Sequence, residues 1–232
     1  MTKRIKLWDL PTRLFHWLLV FLIVAAIITG KQGGNAIVWH GRIGLAIVGL
    51  LTFRILWGFL GSTHARFASF FPTPARLVAY LRGQWHGIGH NPLGAFSVFG
   101  LLALIALQLG SGLFANDDIA FQGHLSVLVD KDLSDRLTSL HRLLINALII
   151  LIGLHLVAIM FYAHVKKDNL VKPMITGWKE IATDSAERIT GGGMIALIVA
   201  VTVAGAAVYG ASGQWISAPP PPPQATPATP AW

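Results

Sequence analysis

Cysteine is absent from this 232-residue chain. That excludes disulfides, thiolate-held iron–sulfur clusters and a covalently attached c-type haem, which needs a C-x-x-C-H segment. Charge is scarce as well. Charged residues make up 12% of the chain, against about 25% in a soluble domain. Acids are the scarcer sign: 10 against 18 lysines and arginines, for a net charge of +8. A basic balance can mark nucleic-acid binding, but here the cations lie in short loops beside apolar runs. That is the charge pattern of membrane topology, so no nucleic-acid partner is expected. Any bound group must be held by histidine, methionine, carboxylates or backbone.

What the chain has in abundance is apolar length. Residues of the hydrophobic set reach 54%, and about 20 of them in a row cross the hydrocarbon core as a helix. Five stretches qualify: Leu14 to Gly30, Ile37 to Leu60, Gly94 to Ala115, Leu140 to Ala163 and Gly191 to Gly210. The opening Lys3-Arg4-Ile5-Lys6 is laid out like the start of a signal peptide. The run behind it, however, contains His16 and Trp17 and ends without a small-residue cleavage site, so it reads as a retained span. No segment has a convincing strand period, and no internal repeat is visible.

The loops set the expected orientation. The N-terminal segment, the loop from Gly61 to Pro92 and the segment from Val165 to Thr190 are basic, whereas the loop from Asn116 to Ser139 holds Asp117, Asp118, Asp130, Asp132 and Asp135. The positive-inside rule then places the N-terminus in the cytoplasm and the C-terminus outside. The tail, with prolines at Pro219 to Pro223, reads as a disordered tail or as a docking strand for a partner outside the membrane. The fifth span has Ala196, Ala200 and Ala204 at close-packing spacing, against the bundle or against another subunit.

Nine histidines in such a chain call for explanation. Four fall inside the spans: His16, His40, His141 and His155. An ionisable group within a membrane helix needs a partner and is a functional candidate by default. His141 and His155 are fourteen residues apart. That separation is within roughly 40° of a whole number of helical turns and rises roughly 21 Å, so both rings leave one face at opposite depths. By depth, His16 pairs with His155 on the cytoplasmic side and His40 with His141 on the outer side. Two bis-imidazole sites suit two b-type haems, each iron taking two axial ligands from facing helices. A zinc site wants three or four converging ligands, which these pairs do not offer.

Haem propionates need cationic or hydrogen-bonding partners in a low dielectric. Arg42 and Arg142 lie beside the outer pair; Arg13 and Arg54 lie at the inner depth. Snorkelling to the interface is the alternative role for the arginines. Gly44, Gly100, Gly110 and Gly153 suit either a macrocycle's approach to the backbone or helix–helix contact. His64, His86, His90, His124 and His164 fall in loops or at a helix end and read as solvated. The tryptophans, including Trp8, Trp17, Trp39, Trp57 and Trp178, sit near span ends like an ordinary aromatic belt.

These segments carry a resemblance. Trp8-Asp9-Leu10-Pro11-Thr12-Arg13-Leu14-Phe15-His16-Trp17, Trp39-His40-Gly41-Arg42, His90-Asn91-Pro92-Leu93-Gly94 and the His141/His155 pair are similar to the bacterial cytochrome b561 family, over roughly Lys6 to Lys167. That family includes the b-type cytochrome subunits of nickel–iron hydrogenases and a free-standing superoxide oxidase. The resemblance implies a four-helix core, two non-covalent b haems with axial ligands His16, His40, His141 and His155, quinone as one redox partner, and a multi-pass place in the bacterial inner membrane. The fifth span and the proline tail lie outside that core. The expected organisation is an all-α membrane protein with a di-haem domain over 1–167, a cytoplasmic connector over 168–190, a fifth transmembrane helix over 191–210 and a periplasmic tail over 211–232.

The function this implies is electron transfer between membrane quinone and a periplasmic partner, either a c-type cytochrome or a dehydrogenase or hydrogenase subunit. The acidic outer loop would steer a basic partner. Two alternatives stand beside it. One is a free-standing superoxide:quinone oxidoreductase, which needs a cationic funnel that this outer loop does not resemble. The other is a haem-free transporter or structural subunit with the histidines as a proton relay.

Overall fold

The computed structural model describes residues 2–119, 121–182 and 190–216. Five helices within it are long and apolar enough to cross a membrane: α1 (Leu10–Gln32), α2 (Ala36–Leu60), α5 (Pro92–Leu113), α6 (Lys131–His164) and α8 (Gly193–Ala211). Two short helices, α3 (Phe67–Phe70) and α4 (Pro74–Leu81), fill the loop after α2, and α7 (Val171–Thr176) follows α6. The described residues form a helical membrane bundle. The proline run at Pro219 to Pro223 lies outside the described residues.

Local chemistry sets where the helices start. Asp9, Asn91 and Asp130 each accept a backbone N–H three residues on, at 2.8 Å. A proline in the first turn of α1 and of α5 gives up no helical bond there. The α1–α2 turn runs through Gly33 and Gly34 at φ 62° and 51°, a left-handed path that suits glycine. α6 starts nine residues before the apolar span does. Its polar first turns are held by Lys131 between Asp118 and Asp135 and by Asn116, which donates to Ser134 and Asp135. At 34 residues it is about 51 Å long, so its first turns stand clear of the hydrocarbon.

α2 is the hub, packed on α1, α5 and α8, while α5 packs on α6. The bundle core is one layer of Phe15, Leu19, Ile47, Leu51, Ile105 and Leu148. Outward faces remain apolar, as at Phe21, Ile150 and Ile195, as lipid contact requires. Lipid removes the hydrophobic drive between helices, so association depends on close packing of small residues. α8 follows that rule. Ala200 is fully buried and Ala204 nearly so. A side chain at Gly49 of α2 would collide with Val208, and one at Gly192 with Trp57. Of the two docking sites open to the fifth span, the structure shows the bundle, with α8 on α2.

Two expectations are corrected. A two-stranded antiparallel sheet joins β1 (Thr2–Lys6) to β2 (Trp178–Ala182), where no strand was expected. Arg4 faces Glu180 across it, and its guanidinium lies 5.0 Å over the Trp178 ring. Trp8 and Trp57 are not belt residues: both are buried, and the Trp57 indole donates to Asp9 Oδ2 at 2.9 Å. Arg13 and Trp17 of α1 donate to the carbonyls of Thr176 and Met174, tying the segment after α6 to the start of α1.

Candidate functional site

His40 and His141 come together. Their ring centres are 5.9 Å apart with planes at 90°. Two metal–nitrogen bonds of about 2 Å, plus roughly 1 Å from each nitrogen to its ring centre, put axial imidazoles roughly 6 Å apart. Each ring is also turned the way a metal ligand is turned. His40 Nδ1 lies 2.8 Å from the Ala26 carbonyl and His141 Nδ1 2.9 Å from the Gln108 carbonyl. A carbonyl accepts only from N–H, so Nδ1 carries the proton and Nε2 the lone pair in both rings. The Gln108 amide donates to that lone pair of His141 at 3.1 Å and must swing aside for a metal.

A cavity of about 430 Å³ surrounds this couple, within the range of cofactor sites. His40, Gly44, Gln108, Gly112 and His141 line it, and Ile47, Ile105 and Leu148 form its floor at the bundle core. Two glycines make room for the rings. A Cβ at Gly30 would stand 2.9 Å from His40 Nδ1, and one at Gly112 would stand 2.8 Å from His141 Cε1. Neither glycine was singled out in the sequence, because its reason is a neighbour on another helix. Of the four that were, Gly44 faces the cavity with nothing within 4 Å of its Cβ position, and Gly110 and Gly153 are equally open. Gly100 sits against Leu151 at 3.3 Å, an ordinary helix contact.

The inner couple is arranged differently. His16 and His155 lie within electrostatic range of each other but make no ring contact with each other. His16 Nδ1 is sealed from solvent without a hydrogen-bond partner among the described residues. Such an orphan is costly unless a bound group or an ordered water satisfies it.

His64, His90 and His124 are not solvated as expected. His64 is 5% exposed. The His90 ring is wedged between Trp8 and Phe70 at 4.7 and 4.5 Å, within electrostatic range of Arg54, His155 and His16. Burial first, and the Arg54 charge second, push its pKa down to about 3, so His90 is neutral at physiological pH. His124 lines the outer cavity. His86 and His164 are exposed, as expected.

The arginines divide. Arg142 lines the outer cavity. Arg42 lies outside that lining, its guanidinium 5.0 Å over the Trp39 ring. Arg54 is buried, donates to the Ala65 carbonyl at 3.2 Å and lies over Phe67. Arg13 donates to Thr176. Among the described residues, no three or more histidines and carboxylates converge into a metal cluster, so the two-ligand couple is the arrangement on offer.

A membrane-spanning helical bundle that holds facing imidazoles in an apolar, glycine-relieved cavity has the form of a membrane cytochrome b. The family model for prokaryotic cytochrome b561 matches residues 7–177, and the chain belongs to that family. It is therefore a b-type haem protein of membrane electron transfer. Among its relatives is a probable Ni/Fe-hydrogenase B-type cytochrome subunit of Azotobacter chroococcum mcd 1. It is 25% identical over 224 residues, covering 78% of this chain and 90% of the relative. A protein of that name in Rhodobacter capsulatus is 24% identical, covering 79% and 84%. The probable Ni/Fe-hydrogenase 1 B-type cytochrome subunit of Escherichia coli K12 is 22% identical, covering 45% and 57%. No solved structure matches the chain.

Proposed function

We propose that this chain holds two b haems, one between His40 and His141 and one between His16 and His155, and passes electrons between a periplasmic hydrogenase-type subunit and quinone. The observation that carries the reading is the His40–His141 couple, 5.9 Å apart in a cavity, with each Nδ1 bonded to a helix carbonyl. The orphaned His16 nitrogen supports the inner site. A haem supplies one-electron chemistry; the chain supplies ligation, orientation and an apolar surround that sets the potential. His141 and His155 on one helix put the sites roughly 21 Å apart along it, so two relays span the apolar layer. Arg142 is the cation for the outer propionates and Arg54 for the inner ones, with Arg42 and Arg13 at their rims. The relatives' names point to hydrogenase as the periplasmic partner, ahead of a c-type cytochrome. The positive-inside pattern supports a cytoplasmic N-terminus and a periplasmic C-terminus in the bacterial inner membrane.

Purified full-length protein tests this directly. The expected result is two haems per chain by pyridine haemochrome, both reduced by hydrogenase under hydrogen and reoxidised by a soluble quinone. Quinone reduction by superoxide without any partner subunit would favour the oxidoreductase reading instead, and a protein without b-type bands after dithionite would end both.

A further inference from the structure

Beyond the axial couple, the outer cavity has a second buried nitrogen. His124 lies in the loop between α5 and α6, and its Nε2 is sealed from solvent with no hydrogen-bond partner among the described residues. The loop that carries the ring is held on three sides. A Cβ at Gly41, the residue after His40, would come 3.4 Å from His124 Nε2 and 3.1 Å from the Phe121 ring, so the loop lies directly on α2. Gly123 donates to the Ala115 carbonyl at 2.7 Å and Leu125 to the Leu113 carbonyl at 2.8 Å, which fixes the loop to the end of α5. Behind it, Gly213 at the end of α8 presses on the His124 carbonyl, and its φ of 69° excludes most side chains there.

A buried imidazole nitrogen left without a partner is costly to the fold. The loop is pinned from α2, α5 and α8, which holds the His124 backbone at the cavity wall. Nε2 therefore awaits a group entering the cavity that His124, His40, His141, Arg142 and Lys31 all line. The cavity floor is wholly aliphatic, whereas the rest of the lining holds Lys31, Arg142 and the His124 imidazole against the single carboxylate of Asp117. An amphipathic occupant is oriented by that contrast, with carbon toward Leu148 and an anionic group toward His124 and Arg142.

We propose that His124 is a propionate-anchoring residue of the outer site, donating from Nε2 to a carboxylate of the haem held by His40 and His141. The inference rests on that axial assignment. It gives α8 a part in the site: the helix braces the loop that carries His124.

The test uses the full-length haem-loaded protein with His124→Ala and His124→Gln. Haem per chain, the resonance Raman propionate-bending mode and the midpoint of each haem are measured. His124→Ala is expected to keep the helical content, shift the propionate mode of one haem only, and move that haem to lower potential. A carboxylate that has lost a donor favours the ferric state. His124→Gln restores a donor and with it most of the mode and the midpoint. Unchanged modes and midpoints in His124→Ala would overturn the proposal. So would equal loss of the outer haem in both variants, which would mark His124 as packing alone. His40→Ala separates this failure from failure of the axial assignment: if that variant keeps two haems, no haem sits in this cavity, whatever His124 does.

Discussion

Gly112→Ala gives the sharpest test of the outer site, since it keeps both proposed ligands in the sequence and only crowds the ring of His141. It would stand 2.8 Å from Cε1 and 3.0 Å from Nδ1 of His141. The ring must retreat by about 0.6 Å to regain an ordinary van der Waals contact. A metal–nitrogen bond tolerates only about 0.2 Å. The retreat also strains the 2.9 Å bond from Nδ1 to the Gln108 carbonyl that holds the ring in orientation. Loss of such a supporting bond typically costs about 10–100-fold in metal affinity. Gly30→Ala repeats the perturbation on the other ligand, with the methyl 2.9 Å from His40 Nδ1. Haem per chain is the assay, with circular dichroism to confirm the helices. Both variants should fall from two haems toward one and keep the inner haem's spectrum. Two haems at wild-type potentials in either variant would refute the fit of these rings to an iron. Gly44→Leu is the converse control. Its Cβ meets nothing within 4 Å and faces the cavity, so the haem-free protein should tolerate it while the outer haem is displaced.

Other outcomes follow from the same geometry. His141→Ala should lose the outer haem and keep the inner, and His155→Ala the reverse, each read as a haem-to-protein ratio of one. Asp9→Ala removes both the α1 cap and the acceptor of the buried Trp57 indole, and should cost about 2–4 kcal/mol in thermal or denaturant unfolding. Asp9→Asn, which retains an oxygen for the cap, should cost less. His90 is held near pKa 3 when folded against 6.5 in the open chain, so below pH 6.5 the unfolded chain binds the proton first. Stability is therefore unpenalised above pH 6.5 and falls progressively as pH drops toward 3, by roughly 3–5 kcal/mol at the end. A melting profile over pH 3–8 should be flatter for His90→Gln than for the native protein; parallel profiles would exclude His90 as the cause.

The membrane spans were legible because hydropathy over twenty residues is a local property, as is the fourteen-residue offset that puts His141 and His155 on one face. What stayed hidden depends on distant neighbours. β1 is five residues with three cations, and its partner lies more than 170 positions away, so neither strand has a pattern of its own. His64, His90 and His124 looked solvated because their loops hold glycines and charged residues, basic around His64 and His90 and acidic around His124. The structure folds those loops back on the bundle. The signals available were small: Asn91 as a helix cap immediately after His90, and Gly123 immediately before His124. The α6 start was missed because its first turns are polar and hold by capping and ion pairs, which hydropathy does not register.

One residue states how the bundle keeps its two ends apart. Leu148 lies seven positions from His141 and seven from His155, so it sits on the same face of α6 at half depth. It is 3% exposed, packs with Ile47, Ile105, Phe15 and Leu19, and forms part of the floor of the outer cavity. A single apolar layer therefore stands between the couple made by α2 and α6 and the one proposed for α1 and α6. Water and protons need polar footholds, which the layer does not provide. Leu148→Asn would install one. It should leave both histidine couples in place, lower the stability of the bundle by about 1–3 kcal/mol through an unmatched buried amide, and shift both haem midpoints as water enters. Midpoints that move at only one site would mean that the layer belongs to that site and is not the partition between the two.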